Sequence, residues 1–225
     1  GKIVSNQAPA TIHNAGLNRI AGWSPDGRKL LYHSMYGPDN LPVQEPWRDT
    51  TWTNRMFVLT PGTGSEEEIP QGPVRSRFPE LASWFPDGKN IAVYSKYFPN
   101  GPFGIYKVEI QTGEMRAFLL SMRGDTTLER PQFSRDGETM YFKAQSSDGA
   151  AKICSFDLRS GKRQTLFTTQ DKQHVASYQL SPDCKRIAFV LIDSMSSALE
   201  VLKSTGGEAH TVLRADGPYT LTGSL

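Results

Sequence analysis

Apolar residues recur at every second position in short runs along this chain: Leu30 and Tyr32, Ile91 and Val93, Met140 and Phe142, Ile187 and Phe189. A period of two puts alternate side chains on opposite faces of an extended backbone, so each run predicts a strand with one buried face. One turn precedes every run: Trp23-Ser24-Pro25-Asp26-Gly27, Trp84-Phe85-Pro86-Asp87-Gly88, Phe133-Ser134-Arg135-Asp136-Gly137 and Leu180-Ser181-Pro182-Asp183-Cys184. Pro presets the first turn angle, Asp bonds its own backbone two residues on, and Gly accepts a positive φ. The fourth copy has Cys184 where the others have Gly.

A second turn follows in each copy, at Thr63-Gly64, Thr112-Gly113, Ser160-Gly161 and Gly206-Gly207. It separates residues 56–59 from 67–69, 105–110 from 115–120, 153–158 from 164–167, and 199–202 from 210–213, all strand-like. Each copy therefore predicts four strands, A to D, with Pro-Asp-Gly joining A to B and the Gly turn joining C to D. The second turn recurs at intervals of 49, 48 and 46 residues, from Gly64 to Gly113, Gly161 and Gly207. Four strands in about 40–50 residues is the signature of a propeller blade. The blades are expected over residues 19–69, 80–120, 129–168 and 176–214, as one propeller domain or propeller segment.

These turns resemble those of the TolB-type propeller family, whose repeats are distant relatives of WD repeats. The resemblance spans nearly the whole chain. It implies an all-β propeller in which strand A lines a central channel, with the A–B and C–D turns on one face and the B–C and D–A loops on the other. The same repeat builds the propellers of prolyl-oligopeptidase and tricorn-like peptidases. It also implies a bacterial, periplasmic or otherwise extracytoplasmic setting.

The first copy is longer: Asp26 to Gly64 spans 38 residues, against 26, 25 and 24 in the others, which places an insertion at residues 35–53 on the B–C loop. Gly1 lies 25 residues before Asp26, and each later second-turn Gly lies 22 or 23 before the next Asp. Residues 2–5 are therefore expected as an outermost strand, and residues 220–225 as an innermost one. The four blades then form either a segment of a larger propeller or a small closed ring with a reduced fifth blade, since a closed ring leaves no open sheet edge.

Composition narrows the function. The chain has 225 residues, a net charge of +2 and 21% charged residues, with a mean hydropathy of −0.46. That balance lacks the basic excess that phosphate neutralisation requires, so nucleic acid is not an expected partner. No apolar run approaches the roughly 18–20 residues of a membrane span. Cys154 and Cys184 are too few for a zinc site, and His13, His33, His174 and His210 are scattered without ligand spacing. No Gly-x-Ser-x-Gly elbow and no phosphate-binding Gly loop occurs. No cofactor, metal or catalytic residue is expected.

Two binding candidates remain. The first-blade insertion carries Trp47, Arg48 and Trp52, residue types that anchor interfaces. Seven positions before each repeat Asp, at the start of strand A, stand Arg19, Glu80, Glu129 and Ala176, with Arg75, Arg77 and Arg123 on the feeding loops. Arg77, Arg123, Glu80 and Glu129 would orient a charged group at the channel mouth. The expected function is a non-catalytic scaffold that binds a protein or peptide on its loop face. The alternatives are the propeller of a peptidase whose catalytic domain lies outside this chain, or a glycan-binding propeller using Trp47 and Trp52.

Overall fold

The computed structural model describes residues 18–36, 53–70, 82–96, 102–121, 124–170 and 172–217. Among them there is no helix, and sixteen strands form four four-stranded antiparallel sheets, each a meander in chain order. The first blade is β1 (Asn18–Trp23), β2 (Leu30–Tyr36), β3 (Thr53–Thr60) and β4 (Ser65–Glu68). The second is β5 (Ser83–Trp84), β6 (Asn90–Lys96), β7 (Phe103–Glu109) and β8 (Met115–Leu120). The third is β9 (Asp125–Phe133), β10 (Thr139–Ser146), β11 (Ala151–Asp157) and β12 (Arg163–Thr168). The fourth is β13 (His174–Leu180), β14 (Arg186–Ile192), β15 (Ser196–Lys203) and β16 (His210–Asp216). Four blades were expected and four are present; the expected terminal strands at 2–5 and 220–225 lie outside the described residues.

Each A–B hairpin closes by an identical device. The fourth turn residue donates its N–H to the carbonyl three residues earlier: Gly27 to Ser24, Gly88 to Phe85, Gly137 to Ser134 and Cys184 to Ser181. All four adopt a positive φ, Cys184 at 57°. The carboxylate is then clasped from two sides. Ser24, Ser134 and Ser181 donate their hydroxyls to Asp26, Asp136 and Asp183 at 2.6, 2.5 and 2.6 Å, and the N–H groups of Arg28, Glu138 and Lys185 donate to the same carboxyls. The second blade has Phe85 in place of the serine, and there Asn90 and Lys107 reach Asp87 instead. The Ser two residues before Asp was present in three of four copies, but its role emerges only from these bonds.

The chain divides into two compact units, residues 1–101 with 106–117, and residues 102–105 with 118–225. In the first, Leu31 and Val58 of the first blade pack with Ile69 against Ala82, Trp84, Ile91, Val93 and Val108 of the second. Trp84 also donates its indole N–H to the carbonyl of Gly22 at 3.2 Å. Gly113 approaches this unit closely: its φ is +70°, and a Cβ there would stand 2.0 Å from the carbonyl oxygen of Pro70, so only glycine fits.

In the second unit, Tyr141, Ile153 and Leu166 of the third blade pack against Val175, Tyr178, Leu180, Ile187, Phe189 and Leu202 of the fourth. Gln132 holds the same two blades by a fork, accepting from Leu180 N–H at 2.8 Å and donating to Tyr178 O at 3.0 Å. Burying each such large apolar side chain is worth roughly 1.5–3 kcal/mol.

The residue three before each turn Asp differs in burial from blade to blade. Trp84 and Leu180 are buried, at 6% and 7% exposure, and Phe133 is half-buried, whereas Trp23 is 57% exposed. The reason is directional. Trp84 and Leu180 face the blade that precedes them within their own unit, and the first blade has none before it in its unit.

Candidate functional site

The innermost strand β9 cannot run as a regular ladder, because Pro131 has no N–H to donate. Glu129 pairs with Lys143 and Gln132 with Tyr141, so Arg130 and Pro131 together oppose one residue, Phe142. The bulge puts Arg130 at a φ of 52°, a left-handed conformation that a side chain adopts only at a penalty. The fully buried hydroxyl of Tyr178 lies within hydrogen-bond reach of the carbonyls of Arg130 and, at 3.0 Å, Tyr141. Burial drives its pKa well up, so it stays a donor. Bulges also interrupt β1 between Ile20 and Gly22 and β13 between Val175 and Ser177. Three innermost strands are thus irregular near the positions where the sequence placed a channel mouth.

Glu129 is the one proposed binding residue among those described. It sits inside β9 rather than at its start, because the pairing with β10 continues past it to Asp125 and Ser146. Its carboxylate meets Lys143 Nζ at 2.7 Å and accepts from Thr127 Oγ1 at 2.8 Å. Lys143 Nζ also donates to Val175 O of the fourth blade at 3.4 Å. Glu129 is 22% and Lys143 13% exposed, so the pair is largely withdrawn from solvent. Such a pair is costly to break, since removing one partner strands the other charge. A second pair, Arg163 with Asp125, is similarly withdrawn, and Arg163 also reaches the thiol of Cys154 at 3.4 Å.

Trp47, Arg48, Trp52, Arg77, Glu80 and Arg123 lie outside the described residues, as do Arg75 and His13. Arg19 is on β1 and exposed, and Ala176 falls in the β13 bulge. Among the described residues, no group of three or more His, Cys, Asp or Glu side chains could hold a metal ion. Sequence reasoning missed Lys143 and Gln132, although Gln132 stands four before its turn Asp as Gln179 does; Pro131 within a strand run was a legible sign of the bulge beside them.

No family model matches the chain. Dipeptidyl-peptidase 5 of Porphyromonas gingivalis is 27% identical over 147 residues, 61% of this chain and 21% of that protein. Among solved structures, a putative TolB from Agrobacterium tumefaciens superposes with a TM-score of 0.57 at 18% identity, covering 90% of this chain and 82% of that one. TolB from Acinetobacter baumannii gives 0.57 at 16%, covering 90% and 55%. A putative dipeptidyl aminopeptidase IV from Bacteroides ovatus gives 0.55 at 15%, covering 83% and 32%. The fold is a β-propeller of the kind found in TolB. The chain spans about a fifth of the curated relative it matches and just over half of the Acinetobacter protein.

Proposed function

We propose that the chain is a non-catalytic propeller scaffold that binds a protein or peptide on its loop face. The observation that carries this reading is the opposite-charge pair Glu129–Lys143 beside the bulge in β9, where Lys143 also reaches the Val175 carbonyl of the next blade. An extended peptide presents a charged terminus and a row of main-chain donors and acceptors. Trp47 and Trp52 would supply apolar area, while Arg77, Arg123 and Glu80 would orient charge. Further blades or domains of the same polypeptide, and an extracytoplasmic location, belong to this reading.

The stretch of 147 residues shared with a dipeptidyl-peptidase supports a second reading, the propeller of a peptidase whose catalytic domain lies outside this chain. There the propeller would select or admit peptides.

A peptide array on the purified chain, followed by titration calorimetry with the best ligand, tests the first reading. Trp47→Ala and Arg77→Ala are expected to weaken binding about thirtyfold each, the effect of losing an interface anchor worth about 2 kcal/mol. Lys162→Ala, on a C–D turn, is expected to change nothing. Equal affinities for all three proteins would overturn it. Release of dipeptides by the full-length natural protein would establish the second.

A further inference from the structure

The charges along β9 do not balance within the structure. Asp125 is met by Arg163 at 2.5 Å and Glu129 by Lys143 at 2.7 Å, so each acid of the strand has a cation of its own. Arg130 is the surplus charge: among the described residues, no carboxylate, carbonyl or hydroxyl accepts a hydrogen bond from its half-buried guanidinium. Its backbone is fixed from three sides. Pro131 imposes the bulge, the φ of 52° carries a penalty, and the Tyr178 hydroxyl of the fourth blade engages the Arg130 carbonyl. Glu129 and Gln132 on either side are engaged with the fourth blade, the first through Lys143 and Val175, the second through its fork on Tyr178 and Leu180. The bulge takes Arg130 out of that row, since an extra residue re-aims the side chain it carries. Glycine would adopt this φ without penalty, yet an arginine stands there, and strain held at one position is a mark of functional sites.

We infer that Arg130 is the residue that recognises a carboxylate on the bound peptide. This rests on the peptide-binding reading above and names the chemistry of its ligand. A guanidinium presents parallel N–H donors that match the two oxygens of a carboxylate, and partial burial strengthens the pair relative to one in water. Glu129 does not compete for the guanidinium, because Lys143 and Thr127 already engage its carboxylate. A peptide amine has no equivalent place on β9, where both acids are already neutralised. A C-terminus and an acidic side chain offer the same two oxygens, and the experiment separates them.

An array of octapeptides of mixed sequence, probed with the full-length natural protein, tests this. Each sequence is made as a free C-terminal acid, as a neutral C-terminal amide, and as an amide with an Asp or Glu introduced. A carboxylate-bearing form is expected to bind about tenfold or more tighter than the neutral amide, the gain from a charge-assisted hydrogen bond. Whichever form gains identifies the carboxylate. Arg130→Gln is expected to erase the preference while leaving the affinity for the neutral amide unchanged. Arg130→Gly should do the same with a thermal midpoint no lower than the parent's, because it also removes the left-handed penalty. Equal affinities for all three forms, or a preference that survives Arg130→Gln, would overturn the inference while peptide binding stands. Binding of none of the forms would overturn both.

Discussion

Trp84 gives its indole N–H to the carbonyl of Gly22 at 3.2 Å, so a single side chain both fills the interface between the first two blades and hydrogen-bonds across it. The two contributions separate by substitution. Trp84→Phe keeps most of the apolar volume and strands the Gly22 carbonyl, and should lower stability by about 1 kcal/mol. Trp84→Ala also opens a cavity and should cost about 3–5 kcal/mol. Urea denaturation of both variants reads the difference directly; equal losses would mean that the hydrogen bond contributes nothing.

The third and fourth blades are joined by an amide instead. Gln132→Ala leaves the N–H of Leu180 and the carbonyl of Tyr178 without the partners they now have. The expected loss is about 1–3 kcal/mol. Gln132→Glu should lose more, because a carboxylate accepts from Leu180 but faces the Tyr178 carbonyl with no proton to give. A Gln132→Glu variant as stable as the parent would show that the fork is incidental.

Much of this architecture was legible because the repeat acts through local chemistry. Pro25, Asp26 and Gly27 specify a hairpin wherever they occur, and alternation then assigns Leu30 and Leu31 to opposite faces. What lay beyond reach depends on neighbours. Nothing in the identity of Trp23 distinguishes it from Trp84; within their unit a blade stands before Trp84 and none before Trp23. Glu129 was legible as a charged inner-strand residue, but its partner Lys143 comes into reach only through the β9–β10 register set by the bulge at Arg130 and Pro131. The binding residues proposed on the insertion sit where sequence periodicity breaks, and periodicity says nothing about how such a segment folds.

Cys184 holds a left-handed φ of 57° where the other three turns have glycine. Its sulfur also accepts the N–H of Arg135 at 3.3 Å, which obscures the backbone penalty in a simple comparison with the parent. Two variants that both lack sulfur isolate it. Cys184→Gly should be more stable than Cys184→Ala by about 1 kcal/mol, the penalty a Cβ incurs in this conformation. Thermal denaturation of the pair checks this, and equal midpoints would indicate that the turn relaxes to another conformation.

The turn aspartates make stability depend on acid in a direction the hydrogen bonds dictate. The serine hydroxyls first, and then the backbone N–H groups two residues on, hold the carboxyls of Asp26, Asp136 and Asp183 below the ordinary carboxylate range. For Asp87 partial burial works the other way, but the N–H of Lys89 with the side chains of Asn90 and Lys107 still brings it down. A carboxyl whose pKa is lower in the folded than in the unfolded chain binds fewer protons when folded. Its stabilisation is therefore complete above the unfolded value, near pH 4, and is lost as pH falls through the lowered folded value. The parent should lose stability steeply below about pH 4. Ser134→Ala removes the largest cause of the shift at Asp136, so it should destabilise most at neutral pH and converge on the parent in strong acid. Ser134 Oγ also accepts the N–H of Thr139 at 2.9 Å, a bond indifferent to the proton on Asp136. Urea midpoints of the two proteins across pH 2 to 7 separate these roles: a gap that closes toward acid assigns the serine to the carboxylate, and a gap that stays constant assigns it to Thr139 alone.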